Sequence, residues 1–326
     1  MIITRTPLRV SLGGGGTDLP SYYEDYGGLV IAAAIDKYVF VAINKTFTDD
    51  YFLKYSALER VTSRADIQHP IVREAFEAHQ VQPSVEMVSV ADIPSGTGLG
   101  SSGTFSVGLL RAIYAFQREH ATPSILAEEA CQIEIDRLGR PVGKQDQYIA
   151  AFGGLTCLAF EPGGGVAISP LSISSDTLHD LEEHLLMFFT GYSRDAEHML
   201  EDQKKRSEQG DPQMIENLHF VKEVGVASKE ALEKGDVGQF AALMHEHWVR
   251  KRERSVGMTN TSIDNWYKRG IDNGALGGKL VGAGAGGFLL FYASDPSSLR
   301  AAMSAEGLQE VRFSFDLDGS VVMARD

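Results

Sequence analysis

The chain has 326 residues, 43% of them hydrophobic, and a formal net charge of −14 at pH 7. This length suffices for two domains, each with its own core. An acidic protein is repelled by phosphate backbones and by anionic membrane surfaces, so neither a nucleic acid nor a membrane is expected as the main partner. Any anionic ligand must therefore be held by local positive groups.

The sequence predicts a cytoplasmic protein. It contains no run of about 18 apolar residues, and its first residues lack a basic segment followed by an apolar one. Cys131 and Cys157 are too few for a disulfide framework and lack the spacing of a zinc site. Both cysteines are expected to be buried, reduced thiols.

The first third of the chain predicts a sheet with a glycine loop. Short strands are predicted on either side of Pro7, and the second of them runs into four consecutive glycines, Gly13 to Gly16. Residues 29–47 and 84–90 are rich in Val, Ile, Phe and Tyr, which favour strands. A glycine loop after a strand exposes backbone amides to a ligand.

Residues 94–104, Pro-Ser-Gly-Thr-Gly-Leu-Gly-Ser-Ser-Gly-Thr, carry the strongest functional signal. Glycines allow positive φ and a close backbone approach, and the helix predicted after them offers unpaired N–H groups to an anion. Hydroxyl groups at such a site can bind a magnesium ion held by phosphates. The segment predicts a phosphate-binding loop; the alternative is a Gly/Ser loop that only caps the helix.

Further elements follow in order. Thr122 before Pro123 marks the start of a helix that runs to about Leu138. A short helix over 144–152 and a strand over 155–160 are predicted next.

A change in composition near 162–184 predicts the domain boundary. We divide the chain into an N-terminal domain, residues 1–175, and a C-terminal domain, residues 176–326. The elements predicted in the second domain are a strand at 185–190, helices at 195–208, 213–234 and 236–255, and strands at 279–283 and 287–292.

Three familiar phosphate-binding signatures do not fit. Residues 139–145 lack the spacing and the Ser or Thr of a Walker motif. Residues 282–287 match GxGxxG, but a strand pattern follows where a dinucleotide-binding loop requires a helix. The HRD and DFG signatures of protein kinases do not occur.

Three motifs in order resemble those of the GHMP kinases. They are Pro-Leu-Arg-Val-Ser-Leu-Gly-Gly-Gly-Gly-Thr-Asp at 7–18, residues 94–104, and Lys-Leu-Val-Gly-Ala-Gly-Ala-Gly-Gly at 279–287. The pattern Pro-x-x-x-Gly-Leu-x-Ser-Ser in the second motif is close to diagnostic of that family. Gly103, where alanine is common, and Ala285, in place of a glycine, are departures that leave phosphate binding intact.

The resemblance implies an α+β protein with the GHMP kinase fold. Its N-terminal domain, residues 1–175, would bind nucleotide and sugar and be like ribosomal protein S5 domain 2. Its C-terminal GHMP kinase domain, residues 176–326, would be ferredoxin-like. The active site would lie in the cleft between them.

Within the family, the chain looks like the branch that phosphorylates the anomeric hydroxyl of a sugar. It is similar to D-glycero-D-manno-heptose 7-phosphate kinases at residues 5–9, 14–19, 143–148 and 245–248. The resemblance implies ATP-dependent phosphorylation of the C1 hydroxyl of heptose 7-phosphate to the 1,7-bisphosphate. The alternatives are a kinase for another sugar, such as fucose or an octose phosphate, or for a non-sugar alcohol, and a non-catalytic sensor of sugar and nucleotide.

The resemblance also implies roles for individual residues. Asp146 would be the general base, kept ionised by Arg9 beside it. Ser102 and Glu134 would hold Mg²⁺; the alternative for Glu134 is a solvated glutamate. The alternative for Arg9 is a charge on the surface of a strand. The residues expected to bind ATP are Pro94, Gly96, Thr97, Gly98, Leu99, Gly100, Ser101, Ser102 and Gly103.

Three glycine clusters lie in the three motifs: the first at residues 13–16, the second at 96–100 and the third at 282–287. The acceptor sugar is expected to contact the first and third glycine clusters. Asp18 would accept hydrogen bonds from two sugar hydroxyls, or else cap a turn. The densest positive run, residues 250–254, would hold an acceptor phosphate, because Arg250 and Arg254 share a helical face; a solvated helix face is the alternative. The expected acceptor residues are Gly14, Gly15, Gly16, Thr17, Asp18, Arg250, Lys251, Arg254 and Gly284. The expected partners are a small sugar phosphate and ATP, and a homodimer is left open.

Overall fold

The computed structural model describes residues 1–191 and 196–325, with the side chains of residues 196 and 197 excepted. The strands within them are β1 (Ile2–Gly13), β2 (Gly28–Lys45), β3 (Tyr51–Lys54), β4 (Leu58–Val61), β5 (Val85–Ala91), β6 (Leu155–Phe160), β7 (Val166–Pro170), β8 (Leu185–Gly191), β9 (Ala275–Val281), β10 (Gly287–Ala293), β11 (Gln309–Glu310) and β12 (Val321–Arg325). The α-helices are α1 (Pro20–Tyr26), α2 (Pro70–Ala78), α3 (Ser101–Gln117), α4 (Pro123–Cys131), α5 (Gln145–Phe152), α6 (Ser175–His184), α7 (Ala196–Glu208), α8 (Pro212–Lys234), α9 (Val237–Arg252), α10 (Thr261–Ile271) and α11 (Pro296–Ala305).

The first sheet is built around β1 and β2. Its order is β12-β1-β2-β5-β3-β4, and β6 pairs with the beginning of β2 and with β7. One face of this sheet is covered by α3. Apolar residues recur at helical spacing along α3 from Phe105 onward, and most residues of the helix are buried. Gly108 lets α3 lie close to the sheet, since a Cβ there would be 2.8 Å from Thr6 Oγ1.

The prediction of two strands separated by Pro7 is wrong. β1 is continuous through Pro7, and its register against β2 shifts between Pro7 and Leu8. Proline donates no ladder hydrogen bond and is tolerated at such an irregularity. Its carbonyl is used instead by α3, because Thr104 Oγ1 donates to Pro7 O at 3.1 Å.

The second sheet has the order β11-β8-β10-β9 with antiparallel neighbours. Numbered by their sequence order, its strands lie 4-1-3-2, which is the ferredoxin-like order that the resemblance implies. The predicted strand at 185–190 is confirmed as β8. α9 lies directly on β9, where a Cβ at Gly277 would overlap the carbonyl oxygen of Ala241.

The last described strand belongs to the first sheet. β12 pairs antiparallel with β1, from Ile2 opposite Arg325 to Arg5 opposite Val321. A division of the chain at 175/176 therefore assigns β12 to the wrong sheet. For the rest of the chain that division remains a proposal.

The region around Glu134 departs from the predicted single helix. Thr122 caps α4 as predicted, accepting from the backbone N–H of Ile125. α4 ends at Cys131, however, and a π-helical segment, Gln132–Arg137, continues it. π-helical turns are rare and occur often at functional sites.

Other boundaries also differ from the prediction. The helix predicted at 236–255 ends at Arg252, so Arg254 lies beyond it. Residue 195 of the predicted segment 195–208 lies outside the described residues. Within the part of the chain that the structure describes, no helix is both long and apolar enough to cross a membrane.

The second and third glycine clusters contact each other backbone to backbone. A Cβ at Gly282 would lie 2.4 Å from the Cα of Gly98, and one at Gly287 would lie 2.4 Å from Thr97 O. Gly282 also has a φ of +87°, which side chains rarely adopt. Only glycine fits where these loops meet, and their contact joins the two sheets.

Gly282→Ala should therefore destabilise the protein more than Gly163→Ala. Gly163 has a similar φ, +93°, but nothing lies within 4 Å of its Cβ position. Its substitution should cost about 1–2 kcal/mol for the backbone conformation alone. The free energies of unfolding in urea measure the difference, and equal losses would show that the contact contributes nothing.

Candidate active site

A cleft of about 210 Å³ lies where the two sheets meet. Residues of all three glycine clusters line it, together with residues from β1, β9, α7 and α9. The sequence motifs are therefore brought together in space, although more than 250 residues separate the first from the third.

Arg9 and Asp146 form an ion pair in this cleft. β1 supplies Arg9, which is 5% exposed, and the first turn of α5 supplies Asp146. Two guanidinium nitrogens approach Asp146 Oδ1, Nε at 2.7 Å and Nη2 at 2.6 Å, while Nη1 donates to Gly98 O at 2.6 Å. The structure thus brings together the two residues that the sequence predicts as neighbours.

Asp146 packs closely against the start of α3, because residue 103 there is a glycine. A Cβ there would lie 2.7 Å from Asp146 Cβ. Gly103 is buried and packs against the Cβ and backbone of Asp146, whereas Gly100 approaches its carboxylate carbon.

Glu134 is fully buried at the N-terminal end of α3. Its Oε1 accepts from Ser106 Oγ at 2.9 Å and from Gln147 Nε2 at 3.0 Å, and its Oε2 accepts from Ser102 Oγ. Arg140 Nη1 lies 3.3 Å from Glu134 Oε2 and donates to Ser102 Oγ at 2.8 Å. Ser102 and Glu134 are therefore direct neighbours, and Glu134 is not solvated.

The loop before α3 presents backbone to the cleft. Gly96, Gly98 and Gly100 all have positive φ, and Gly100 is the N-cap residue of α3. These glycines line the cleft with Ser101 and Ser102. Such a loop at a helix N-terminus is the expected geometry for binding an anion.

Other predicted nucleotide residues support the loop and do not line the cleft. Leu99 is fully buried in the core. Thr97 is buried as well, and its hydroxyl donates to Pro94 O at 3.0 Å. Pro94, Thr97 and Leu99 thus maintain the shape of the loop, and Gly103 likewise lies outside the cleft lining.

The first glycine cluster divides in the same way. Gly15, Gly16 and Asp18 line the cleft. Thr17, by contrast, is buried with its hydroxyl bonded to Gly14 O at 2.9 Å, and a Cβ at Gly14 would overlap Leu29 O. Gly14 and Thr17 are therefore placed to shape the loop, which corrects the expectation that they face the sugar.

Asp18 is buried and already accepts several hydrogen bonds. Its Oδ1 accepts from Gly16 N at 3.1 Å, and its Oδ2 accepts from Gln145 N at 3.2 Å and Gln145 Nε2 at 3.0 Å. Burial raises the pKa of Asp18 above its usual value, and the nearby charge of Asp146 adds to the effect. A Cβ at Gly143 would overlap Asp18 Oδ2, so this contact also requires glycine.

Three buried cations, Lys251, Arg254 and Lys279, line the cleft, and we call them the cationic cluster. Lys251 Nζ donates to Leu280 O at 3.0 Å and to Gly282 O. Lys279 lies on β9, with its Nζ 3.5 Å from His247 Nδ1.

Arg254 ties the first glycine cluster to the second half of the chain. Its Nε donates to Asn217 Oδ1 at 3.1 Å and its Nη1 to Gln203 Oε1 at 3.2 Å. Both terminal nitrogens approach Gly15 O, at 3.4 and 3.5 Å.

The expectation that Arg250 joins this group is wrong. α9 ends at Arg252, so Arg250 and Arg254 share no helical face. The Arg250 side chain is exposed, packs over the ring of Phe220 and approaches Glu253 at 3.4 Å. It lies outside the cleft lining.

Gly284 also lies outside the cleft lining, which corrects its prediction as an acceptor residue. A Cβ there would lie 2.3 Å from Met258 Sδ, so Gly284 packs against Met258. The third cluster meets the cleft through Gly282 and Ala283.

Burial and mutual repulsion weaken the charge of the cationic cluster. Burial, together with Arg9 and Arg254, lowers the pKa of Lys279 to about 7, and burial lowers that of Arg254 to about 10. Burial and the other cations also lower the pKa values of Lys251 and His247 well below their usual ranges. A bound anion would relieve this repulsion.

Sequence reasoning missed several residues of the cleft. Ser11 and Lys279 lie inside the first and third motifs, and Gln145 precedes Asp146, so their positions carried a signal. His247 points into the cleft whereas His245, two residues away, pairs with a tyrosine, as their spacing predicts. Gln203 is one polar residue among many on α7 and gave no signal.

Three buried polar atoms of the cleft residues have no hydrogen-bond partner among the described residues. They are Ser11 Oγ, Gln145 Oε1 and His247 Nε2. An unpaired buried polar atom costs about 1–3 kcal/mol, so such atoms indicate a site for a polar ligand. Together with the cations they suit a ligand that carries hydroxyl groups and negative charge.

Two family models match the chain. They are the GHMP kinases N terminal domain over residues 67–154 and the GHMP kinases C terminal over residues 228–309. The D-glycero-alpha-D-manno-heptose 7-phosphate kinase of Campylobacter jejuni is 32% identical over 98% of this chain and 97% of its own length. A galactokinase of Thermococcus kodakarensis is 26% identical over 86% of both chains.

Two solved structures of sugar kinases are similar to this chain. A D-glycero-D-manno-heptose 1-phosphate kinase from Bacteroides thetaiotaomicron superimposes with a TM-score of 0.80, at 26% identity over 100% of both chains. A Lactococcus lactis galactokinase complexed with galactose has a TM-score of 0.78 over 98% of this chain and 94% of its own, but its 16% identity shows the fold alone. The chain belongs to the GHMP kinases, and the predicted family and α+β fold class are confirmed.

Because Lys279 loses its charge near pH 7, binding of sulfate to the cleft should weaken as the pH rises. The free lysine is protonated below about pH 7, and a bound dianion raises its pKa, so binding takes up a proton. The affinity should fall by up to about tenfold per pH unit above 7. Sulfate itself does not titrate in this range, and calorimetry from pH 6 to 8.5 measures the slope.

Lys279→Met should flatten this pH dependence, whereas Lys268→Met, at an exposed lysine, should leave it unchanged. A wild-type slope in Lys279→Met would show that another group titrates.

Proposed function

We propose that this protein transfers the terminal phosphoryl group of ATP to the anomeric C1 hydroxyl of a sugar phosphate, D-glycero-D-manno-heptose 7-phosphate above others, giving the 1,7-bisphosphate. The observation that carries the proposal is the cationic cluster, Lys251, Arg254 and Lys279, in the same cleft as the Arg9–Asp146 pair. A neutral sugar would not require three buried cations. The relatives named for heptose phosphates support this choice of acceptor.

ATP is proposed to bind along the loop before α3. The backbone of Gly96, Gly98, Gly100 and Ser101 would surround its phosphates, because the N-terminus of α3 favours negative charge there. Pro94, Thr97 and Leu99 would preserve the loop shape through their packing and hydrogen bonds.

The residues present fit a magnesium ion. Ser102 and Glu134 provide a hydroxyl and a buried carboxylate side by side, which are the oxygen ligands that Mg²⁺ prefers. Within the described residues no three His, Cys, Asp or Glu side chains are grouped to hold a metal. One carboxylate besides phosphate oxygens and waters is an ordinary protein contribution to such a site. When bound, the ion would neutralise charge on the phosphates of ATP.

Asp146 is proposed to accept the proton of the C1 hydroxyl as the oxygen of that hydroxyl attacks the terminal phosphorus of ATP. A bond forms between the terminal phosphorus and the C1 oxygen, the bond from that phosphorus to the bridging oxygen breaks, and ADP leaves. Arg9, at 2.6 Å, orients the Asp146 carboxylate and stabilises negative charge that develops on the sugar oxygen.

The sugar would occupy the space between Asp146 and the first glycine cluster. Gly15, Gly16 and Asp18 border this space, and Ser11 and Gln145 offer it their unpaired oxygens. The cationic cluster would then hold the acceptor phosphate. Binding would pair groups that are buried without partners in the free protein, which favours hydroxyl-rich acceptors.

Asp146→Asn should lower kcat by about 10²–10⁴-fold, because the general base is lost. Affinity for ATP should persist, since Asp146 lies on the acceptor side of the phosphate loop. Coupled ADP release measures kcat, and calorimetry measures nucleotide binding. Asp136→Asn removes an exposed carboxylate nearby and should leave both unchanged. Full turnover in Asp146→Asn would exclude the proposed base.

Lys251→Met should raise KM for heptose 7-phosphate by about tenfold or more, the loss expected for one charged hydrogen bond. KM for ATP should stay the same. Arg250→Met, the neighbouring arginine outside the cleft, is the matched control and should behave as the wild type. An equal change of KM in both variants would contradict the assignment.

The product and a substrate panel distinguish the alternatives. Phosphorus NMR should show a new phosphate coupled to the anomeric proton. The panel contains seven-carbon sugars, their 7-phosphates and fucose, and the 7-phosphates should release ADP fastest. Preference for fucose would favour the fucose kinase alternative, and binding without turnover would favour the sensor. The cytoplasmic location and the homodimer stay predictions.

A further inference from the structure

Arg140 occupies the position beside Ser102 and Glu134 where a cation is expected. Its Nη1 donates to Ser102 Oγ at 2.8 Å and lies 3.3 Å from Glu134 Oε2. The Ser102 hydroxyl gives its own proton to the same carboxylate oxygen. Both oxygens proposed as metal ligands are therefore already paired with the guanidinium.

The backbone also returns Arg140 to this position. After the π-helical segment, Leu138 N donates to Ile133 O at 3.1 Å and Arg140 N donates to Glu134 O at 3.0 Å. The main chain of Arg140 is thus anchored to the residue with which its side chain pairs. A chance surface contact would not be fixed in this way at both ends.

The charge balance explains why a cation is needed at this point. Glu134 is fully buried, and an ionised carboxylate in the interior is costly unless it is paired. Its Oε1 receives two neutral donors, Ser106 and Gln147. Arg140 is the cation within ion-pair distance of Glu134 among the described residues.

The side chain of Arg140 also borders a second cavity, into which it could move. It lines a neighbouring cavity of about 320 Å³, which is bordered by Leu19, Pro141 and Lys204, and its side chain is 29% exposed. Its guanidinium can therefore leave Glu134 without unfolding the loop. Leu19 and Val142 border both this cavity and the active-site cleft, so the movement would occur next to the bound ligands.

We propose that Arg140 is a positioning residue that blocks the Ser102–Glu134 site against free divalent cations and releases it only when nucleotide phosphates arrive with the metal. The proposal rests on the function proposed above, in which Ser102 and Glu134 bind the metal of the nucleotide.

The physical basis is competition between two cations. A free divalent ion must displace a guanidinium that is already paired, and it must lose tightly held water to reach one carboxylate and one hydroxyl. A metal–nucleotide complex brings phosphate oxygens with it, and arginine pairs well with phosphates. Arg140 can then exchange Glu134 for a phosphate, so neither charge is left unpaired.

The test is Mn²⁺ binding to the nucleotide-free protein, followed by electron paramagnetic resonance of free Mn²⁺. Arg140→Gln should lower the Kd for Mn²⁺ at least tenfold relative to the wild type. The double variant Arg140→Gln/Glu134→Gln should lose this gain. Arg137→Gln removes a positive charge three residues away, where Arg137 faces Glu74, and should bind Mn²⁺ as weakly as the wild type.

Arg140→Lys keeps the positive charge and should also bind Mn²⁺ weakly, and circular dichroism confirms that each variant is folded. The proposal is overturned by equal Mn²⁺ affinity in the wild type and Arg140→Gln, or by a gain that survives removal of the Glu134 carboxylate. This readout needs no sugar and no turnover. Failure of the proposed function would appear separately, as absence of ADP release by the wild type with every sugar of the panel.

Discussion

The direct contact of backbone with backbone at Gly98, Gly282 and Gly287 is the constraint on which the active site depends. The two sheets come from different parts of the chain, and these glycines let their loops approach more closely than any side chain would allow. The phosphate loop is thereby fixed against β9 and β10, which also carry Lys279 and the third cluster. Gly100 and Gly103 serve Arg9 and Asp146 in the same way, so the geometry of the ion pair follows from the shape of the backbone.

The positive charge buried around this contact is opposite in sign to the net charge of the protein. The chain carries a formal charge of −14, yet Arg9, Lys251, Arg254 and Lys279 are all buried in one cleft. Such a concentration of desolvated cations is unfavourable in the free protein, as the lowered pKa values of the lysines indicate. Binding of an anion would offset this repulsion, so the buried cations favour an anionic ligand in the cleft.

Much of the fold could be predicted because helices and strands of this chain have clear periodicity and capping. Thr122 gave the correct start of α4, and the apolar pattern of residues 185–190 gave the position of β8. Non-local features could not be predicted: β12 joins β1 across the whole sequence, and Pro7 is tolerated inside β1 only because the register shifts beside it. Where motifs carry a signal, as at Arg9 and Asp146, the predicted residues do lie together in the structure, and their catalytic roles stay proposals. The prediction for Arg250 was wrong, because α9 ends before Arg254 and the two arginines share no helical face. Lys279 was missed although it opens the third motif, because a lysine within a strand does not by itself indicate burial.

The pairing of β1 with β12 has a consequence for the order in which the molecule folds. During synthesis β1 leaves the ribosome about 300 residues before β12 does, so one edge of the first sheet stays open until β12 emerges. An open edge is a template for pairing with another chain. Closing that edge also requires a loop of about 300 residues, a slow and entropically costly event. The nascent chain is therefore exposed to aggregation at β1 until β12 docks, and a chaperone that shields β1 would act during that interval.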